Sequence, residues 1–170
     1  MTRPPLSPGA LVASAVLIAV AAAVWLAGSE TRIRVLLVAA RGTDREWLAS
    51  AAAGLRTSFG DPVVLDEARW SLDLSDAGVG DGPHGPRVPI SEVVRRIPWV
   101  PGDPYIVIVC NSDLRVGAEE SSPWVHGIGL PYGILVVSVR RLVARFPGVD
   151  ARRRVAAVAS HEFGHVLGYP

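Results

Sequence analysis

Apolar positions in this chain gather in short aliphatic runs separated by polar, glycine-rich segments. Arg32 to Ala40, Tyr105 to Val109 and Ile134 to Val139 carry almost no polar alternation, the pattern of strands buried on both faces. After the first run, Trp47, Leu48, Ala51, Ala52 and Leu55 recur at helical spacing behind Thr43 and Glu46, which form a capping box. A helix is therefore predicted to about Ser58. Gly60-Asp61-Pro62 ends it, and Val63 to Leu65 reads as a second strand. Strand, helix, strand at this spacing is a βαβ unit and predicts a sheet that is at least partly parallel. Ser75 to Pro89, rich in Gly, Pro and Asp, is expected to be a surface loop, and Ser91 to Ile97 a short capped helix. Ser122 to Tyr132 suits a short edge strand with turns. A last helix is predicted from Ala151 to about Leu167, capped by Asp150. Val155, Ala156, Ala159, Phe163, Val166 and Leu167 share its buried arc. Gly164 is expected to admit another backbone at close range, and Gly168 to let the chain leave the helix through a left-handed turn.

One apolar run differs in kind. Leu11 to Gly28 is eighteen residues without a charge, nearly enough to span a hydrocarbon layer of about 30 Å. No small-x-small cleavage site closes it, so a signal anchor is expected over a cleaved signal peptide. The organisation that follows is an N-terminal tail (1–10), a transmembrane signal anchor (11–28) and one α/β (α+β) domain (31–170). The expected localisation is single-pass membrane attachment. Arg32, Arg34, Arg41 and Arg45 after the span argue for a cytoplasmic domain by charge. Folded domains translocate despite such charge, and the side is left open with the extracytoplasmic one slightly favoured. All 17 basic residues are arginine against 16 acidic ones. The near-zero balance and interspersed signs give no nucleic-acid surface. Cys110 forms no disulfide within the chain and so does not set a redox compartment.

The candidate chemistry stands at the end of the last helix, in His161-Glu162-Phe163-Gly164-His165-Val166-Leu167-Gly168. Histidines four apart lie about 40° from one another around a helix, so both imidazoles can reach one metal ion. Neutral imidazoles suit zinc, and Glu162 can then serve as general base toward a metal-held water. The competing reading is a chance H-E-x-x-H whose histidines cap a core edge. The glycine at position 168 and the strand-rich domain before the motif count against it.

H-E-F-G-H-V-L-G resembles the start of the metzincin signature, H-E-x-x-H-x-x-G-x-x-(H or D). Val136 to Leu142 (V-V-S-V-R-R-L), Arg152-Arg153-Arg154 and Val109 to Leu114 (V-C-N-S-D-L) more narrowly resemble archaemetzincins. Matrixins and snapalysin-like peptidases share the H-E-x-G-H-x-x-G core and are the second choice. The resemblance covers about residues 31 to 170. It implies a metzincin-like N-terminal subdomain: a mixed, mostly parallel sheet with an antiparallel edge strand, a backing helix and the active-site helix last. It also implies a Zn2+ peptidase with His161 and His165 as ligands, Glu162 as base, and a peptide or protein substrate extended along the edge strand. The third ligand is expected at the position after Pro170, and the methionine turn is absent, so the C-terminal part of the subdomain is expected to be missing. The alternative function is a truncated, inactive membrane-anchored protein of peptidase-like fold that acts as a binding module. His126 and His84 are candidate substitutes for the missing ligand, each set against a solvated or substrate-facing role. Cys110 is expected to be a buried small hydrophobe, and Arg152 to Arg154 a solvated stretch of helix.

Overall fold

A computed structural model describes residues 32–170 apart from 83, 84, 99, 103, 118 and 120. The long aliphatic runs form the strands of one five-stranded sheet in the order β2-β1-β5-β9-β8. Its members are β1 (Ile33–Ala39), β2 (Val63–Glu67), β5 (Tyr105–Cys110), β9 (Ile134–Ser138) and β8 (Gly127–Leu130). The first four are mutually parallel, and β8 runs antiparallel to β9 with Gly129 opposite Leu135. Alternate residues of each central strand enter two separate cores, which is why these runs carry no polar positions. Val35, Leu37, Val107, Val109, Leu135 and Val137 face helices α1 (Arg45–Phe59) and α4 (Gly148–Val166). Val38, Ile106, Ile108 and Val136 face the other way, onto Leu72, Leu74, Val88, Val93 and Leu114.

The second face is covered by structure that hydrophobic patterning does not announce. Instead of a loop throughout 75–89, β3 (Val79–Gly82) and β4 (Gly85–Pro89) form a hairpin. They join β6 (Asp113–Arg115) and β7 (Trp124–Val125) in a four-stranded sheet ordered β3-β4-β6-β7. Helix α2 (Ile90–Arg95) follows β4, and the short α3 (Arg140–Arg145) leads from β9 into α4.

None of the three predicted helix caps is made by a side chain, and the short middle helix starts after Pro89. Neither Thr43 nor Asp150 caps a helix: α1 starts after Asp44 and α4 after Pro147, neither with a side-chain cap bond. Thr43 Oγ1 accepts instead from the amide of Asn111 at 3.1 Å, tying the end of β1 to the end of β5. The buried arc of α4 is Ala151, Val155, Ala159 and Phe163, narrower than predicted. Close backbone approach falls on Gly54 of α1 and not on Gly164. A Cβ on Gly54 would collide with the carbonyl of Ala156, whereas one on Gly164 would meet only Tyr169 Cβ at 3.9 Å.

The expectation of a single-pass membrane protein is corrected. No helix among the described residues is long and apolar enough to cross a membrane, and the segment 11–28 that prompted it lies outside them. Cys110 is fully buried, and burial pushes its thiol up to about 12, in keeping with a packing role. Arg152 to Arg154 are exposed, as expected. Arg152 pairs with Glu46 at 3.1 Å and Arg154 lies 3.7 Å above the Phe146 ring.

Candidate active site

The helix that carries the motif is held at three levels. At its middle, Gly54 lets α1 touch the backbone at Ala156. Lower down, Phe163 is fully buried and takes edge-to-face contacts from Phe59 (centroids 5.3 Å) and Tyr105 (5.5 Å). The variable residue of the motif is thus the anchor that points its neighbours outward. At the rim, β8 lies against the helix because Gly127 and Gly129 have no side chains. A Cβ on Gly127 would sit 2.6 Å from Val158 Cγ1, and one on Gly129 2.7 Å from the Glu162 carbonyl oxygen.

His161 and His165 emerge on the exposed side of this helix, their rings 4.5 Å apart and nearly perpendicular. Their Nε2 atoms approach to 3.1 Å. Two corners of a tetrahedral zinc site with bonds of about 2.0–2.1 Å stand roughly 3.3 Å apart, so the pair fits zinc with almost no movement. The orientation of His165 has a local cause. Gly168 adopts φ 88°, the left-handed exit that the sequence predicts, and the turn closes through Tyr169 N donating to Gly164 O at 2.9 Å. The Tyr169 carbonyl is thereby brought 3.2 Å from His165 Nδ1. A carbonyl only accepts, so Nδ1 carries the proton and Nε2 presents its lone pair toward His161.

Glu162 turns to the edge strand. Its Oε2 accepts the Gly129 amide at 3.0 Å, and the side chain lines the groove between α4 and β7–β8. That groove, about 530 Å³, is lined by Trp124, Val125, His126, Gly127, Ala157, Val158, His161 and Glu162. His126 therefore shares the groove with His161 and Glu162. Among the described residues, no cluster of three or more His, Cys, Asp or Glu side chains could hold a metal. Burial, then the charge of Arg141, lowers its pKa, and its Nδ1 is buried without a hydrogen-bond partner. His84 lies outside the described residues.

Behind the groove is an ion-pair network absent from the sequence reading. Asp113, with no exposed side-chain surface, accepts from Arg141 Nε and Nη2, both at 2.7 Å, and pairs with Arg87 at 3.6 Å. The Arg141 guanidinium stacks 4.0 Å from the centre of the Trp124 ring. Trp124 in turn packs edge-on against His126, with centroids 4.9 Å apart. The groove wall is thus braced from inside the second sheet. Asp113 and Arg141 lie in two of the segments that resemble archaemetzincins, but their pairing had no signal of its own because it joins β4, β6 and α3, distant along the chain.

A mostly parallel sheet, an antiparallel edge strand and an H-E-x-x-H helix laid across one face define an α/β fold of the metzincin type. Two solved structures share it. Archaemetzincin from Methanopyrus kandleri is 20% identical and superposes with a TM-score of 0.63, over 81% of this chain and 74% of that one. Archaemetzincin from Archaeoglobus fulgidus, solved with malonate, is 20% identical with a TM-score of 0.60, over 79% and 78%. At that identity the likeness establishes an archaemetzincin-like fold. No family model matches the chain, and no curated protein does.

Proposed function

We propose that the chain is a zinc-dependent peptidase, with His161 and His165 as two of the metal's ligands and Glu162 as the general base. The observation that carries this reading is the convergence of two Nε2 atoms 3.1 Å apart beside a carboxylate that the edge strand holds in place. Zinc bound there would supply a polarised carbonyl and a water acidified to a pKa of about 7. The chain's own part is positioning. The Gly129 amide fixes one carboxylate oxygen of Glu162, and the other is directed into the groove to take a proton. Along β8, the Ser138 amide donates to the His126 carbonyl, so by the antiparallel alternation the amides and carbonyls of Gly127 and Gly129 point away from β9. Apart from the Gly129 amide, which Glu162 takes, that edge suits an extended peptide, which would lie across the groove beside Glu162.

One observation favours a second reading, a non-catalytic binding module of the same fold. Among the described residues only two imidazoles converge, and two ligands hold zinc weakly. Zinc titration and peptide cleavage separate the two. The peptidase reading expects zinc binding that His161→Ala or His165→Ala removes, and cleavage that Glu162→Gln abolishes while zinc stays bound. Unchanged metal content in both histidine variants would remove them as ligands. Turnover retained in the Glu162 variant would remove it as the base.

A further inference from the structure

Next to the groove, and sharing Trp124 and His126 with it, is a second recess of about 340 Å³ completed by Arg141, Ala144 and Arg145. None of its lining residues is acidic. Arg141 spends two donors on Asp113 and keeps Nη1, while its flat face rests on Trp124. Asp113 is shared with Arg87, so one carboxylate answers two guanidiniums and the cluster retains positive charge. Arg145 is exposed and joins no ion pair among the described residues; its guanidinium lies 5.4 Å from the Phe146 ring, over which Arg154 also stacks.

We propose that this recess is a carboxylate subsite, formed by Arg145 and the free edge of Arg141, which receives an acid group of a peptide lying in the adjoining groove. The inference rests on the peptidase reading of that groove and adds its substrate class. Two guanidiniums around an aromatic wall offer forked donors to a carboxylate and an apolar surface to its methylene stem. The charge environment agrees. Burial lowers the pKa of His126, Arg141 lowers it next, Asp113 opposes this, and Arg145 and Arg154 add to the lowering. Three cations against one anion act on the wall between the two cavities. His126 itself is then a neutral side of the subsite at pH 7. The Asp113 fork fixes Arg141, and Arg141 fixes Trp124, so the recess is held in shape before any ligand arrives.

The test is calorimetric titration of the Glu162→Gln chain, which keeps bound peptide intact, with short alanine-based peptides blocked at both ends and differing only in a central Glu or Gln. A third peptide, with Gln and a free C-terminal carboxylate, distinguishes a side-chain acid from a chain end. The Glu peptide should bind roughly tenfold tighter than the blocked Gln peptide at low salt, and the advantage should shrink as salt rises. Arg145→Gln should remove most of the preference and Arg145→Lys should keep part of it. A matching gain for the free-end peptide would assign the subsite to terminal carboxylates as well. Equal binding of all three peptides, or a preference untouched by Arg145→Gln, would overturn the proposal. The two readings fail separately. A Glu preference in a chain that cleaves nothing keeps the subsite and removes the peptidase; cleavage without any acid preference does the reverse.

Discussion

The amide of Gly129 on the edge strand donates to Oε2 of Glu162 on the site helix, at 3.0 Å. The bond is possible only because position 129 lacks a side chain. A Cβ there would stand 2.7 Å from the Glu162 carbonyl oxygen and 3.0 Å from Val166 Cγ2. Gly129→Ala should therefore push β8 off the helix and destabilise the fold by about 1–3 kcal/mol. Urea unfolding would read this as a lower midpoint with unchanged slope. A midpoint equal to that of the native chain would mean the strand and helix separate without cost.

Gly54→Ala sets two effects against each other. Alanine in place of glycine inside a helix ordinarily stabilises by about 1 kcal/mol. Here the added Cβ would meet the backbone of Ala156, with its carbonyl carbon and Cα both at 2.8 Å, and backbone cannot turn away. The steric term should win, and Gly54→Ala should lower the thermal midpoint, whereas substitution to alanine of an exposed, freely spaced helix residue such as Arg56 should leave it nearly unchanged.

Asp113 pairs with both Arg87 and Arg141, and its side chain is wholly buried. Asp113→Asn keeps the shape and removes the charge, leaving two guanidiniums uncompensated. Breaking one side of such a buried pair costs about 3–5 kcal/mol. A loss of that size in chemical denaturation, partly recovered in Asp113→Asn/Arg141→Met, is expected. The double variant discriminates between uncompensated charge and simple loss of packing.

His126 gives the fold a pH dependence of definite sign. Burial, then Arg141, holds its folded pKa below the ordinary histidine value of 6.5. Above that value neither state carries the extra proton, and His126 contributes no slope. As pH falls below it, the unfolded chain binds the proton first, so stability decreases until the folded pKa is also passed. Without zinc, the native chain should lose more stability than His126→Gln as pH falls below the ordinary histidine pKa. The lowered carboxyls of Asp73, Asp76 and Glu92 act in the same direction but further down, in the ordinary carboxylate range and below it. Parallel stability profiles for the two chains would show that His126 titrates as it does in the unfolded state.

The parts of this molecule that repeat with a regular period were readable in the sequence. The strands of the large sheet showed as aliphatic runs because both faces are covered. His161, Glu162 and His165 showed because a helix turns four residues into neighbours. Gly168 showed because its left-handed turn has a residue preference. The second sheet did not show: β7 is two residues long, β6 three, and β3 and β4 carry the glycines and prolines that normally mark loops. Nor could Asp113, Arg115 and Arg141 be recognised as buried or nearly so, since a charge reads as surface until its partner is placed. Gly164, read as the point of close approach, was overruled by glycines on the neighbouring elements, Gly54, Gly127 and Gly129. Which glycine yields to a neighbour depends on the neighbour.

The contact between α1 and α4 at Gly54 and Ala156 has a mechanical meaning for the site. It clamps the site helix one and a half turns before His161, Phe163 pins it again, and Gly129 holds Glu162 from the side. The histidine pair is the tip of a short, doubly clamped beam. Its stiffness is set by the backbone contact at Ala156 and the buried ring of Phe163, both away from the ligand nitrogens. Amide exchange should be slow through Phe163 and quicken over the final turn at Val166 to Gly168, so the spacing of the two Nε2 atoms is governed by the frame and not by the imidazoles themselves.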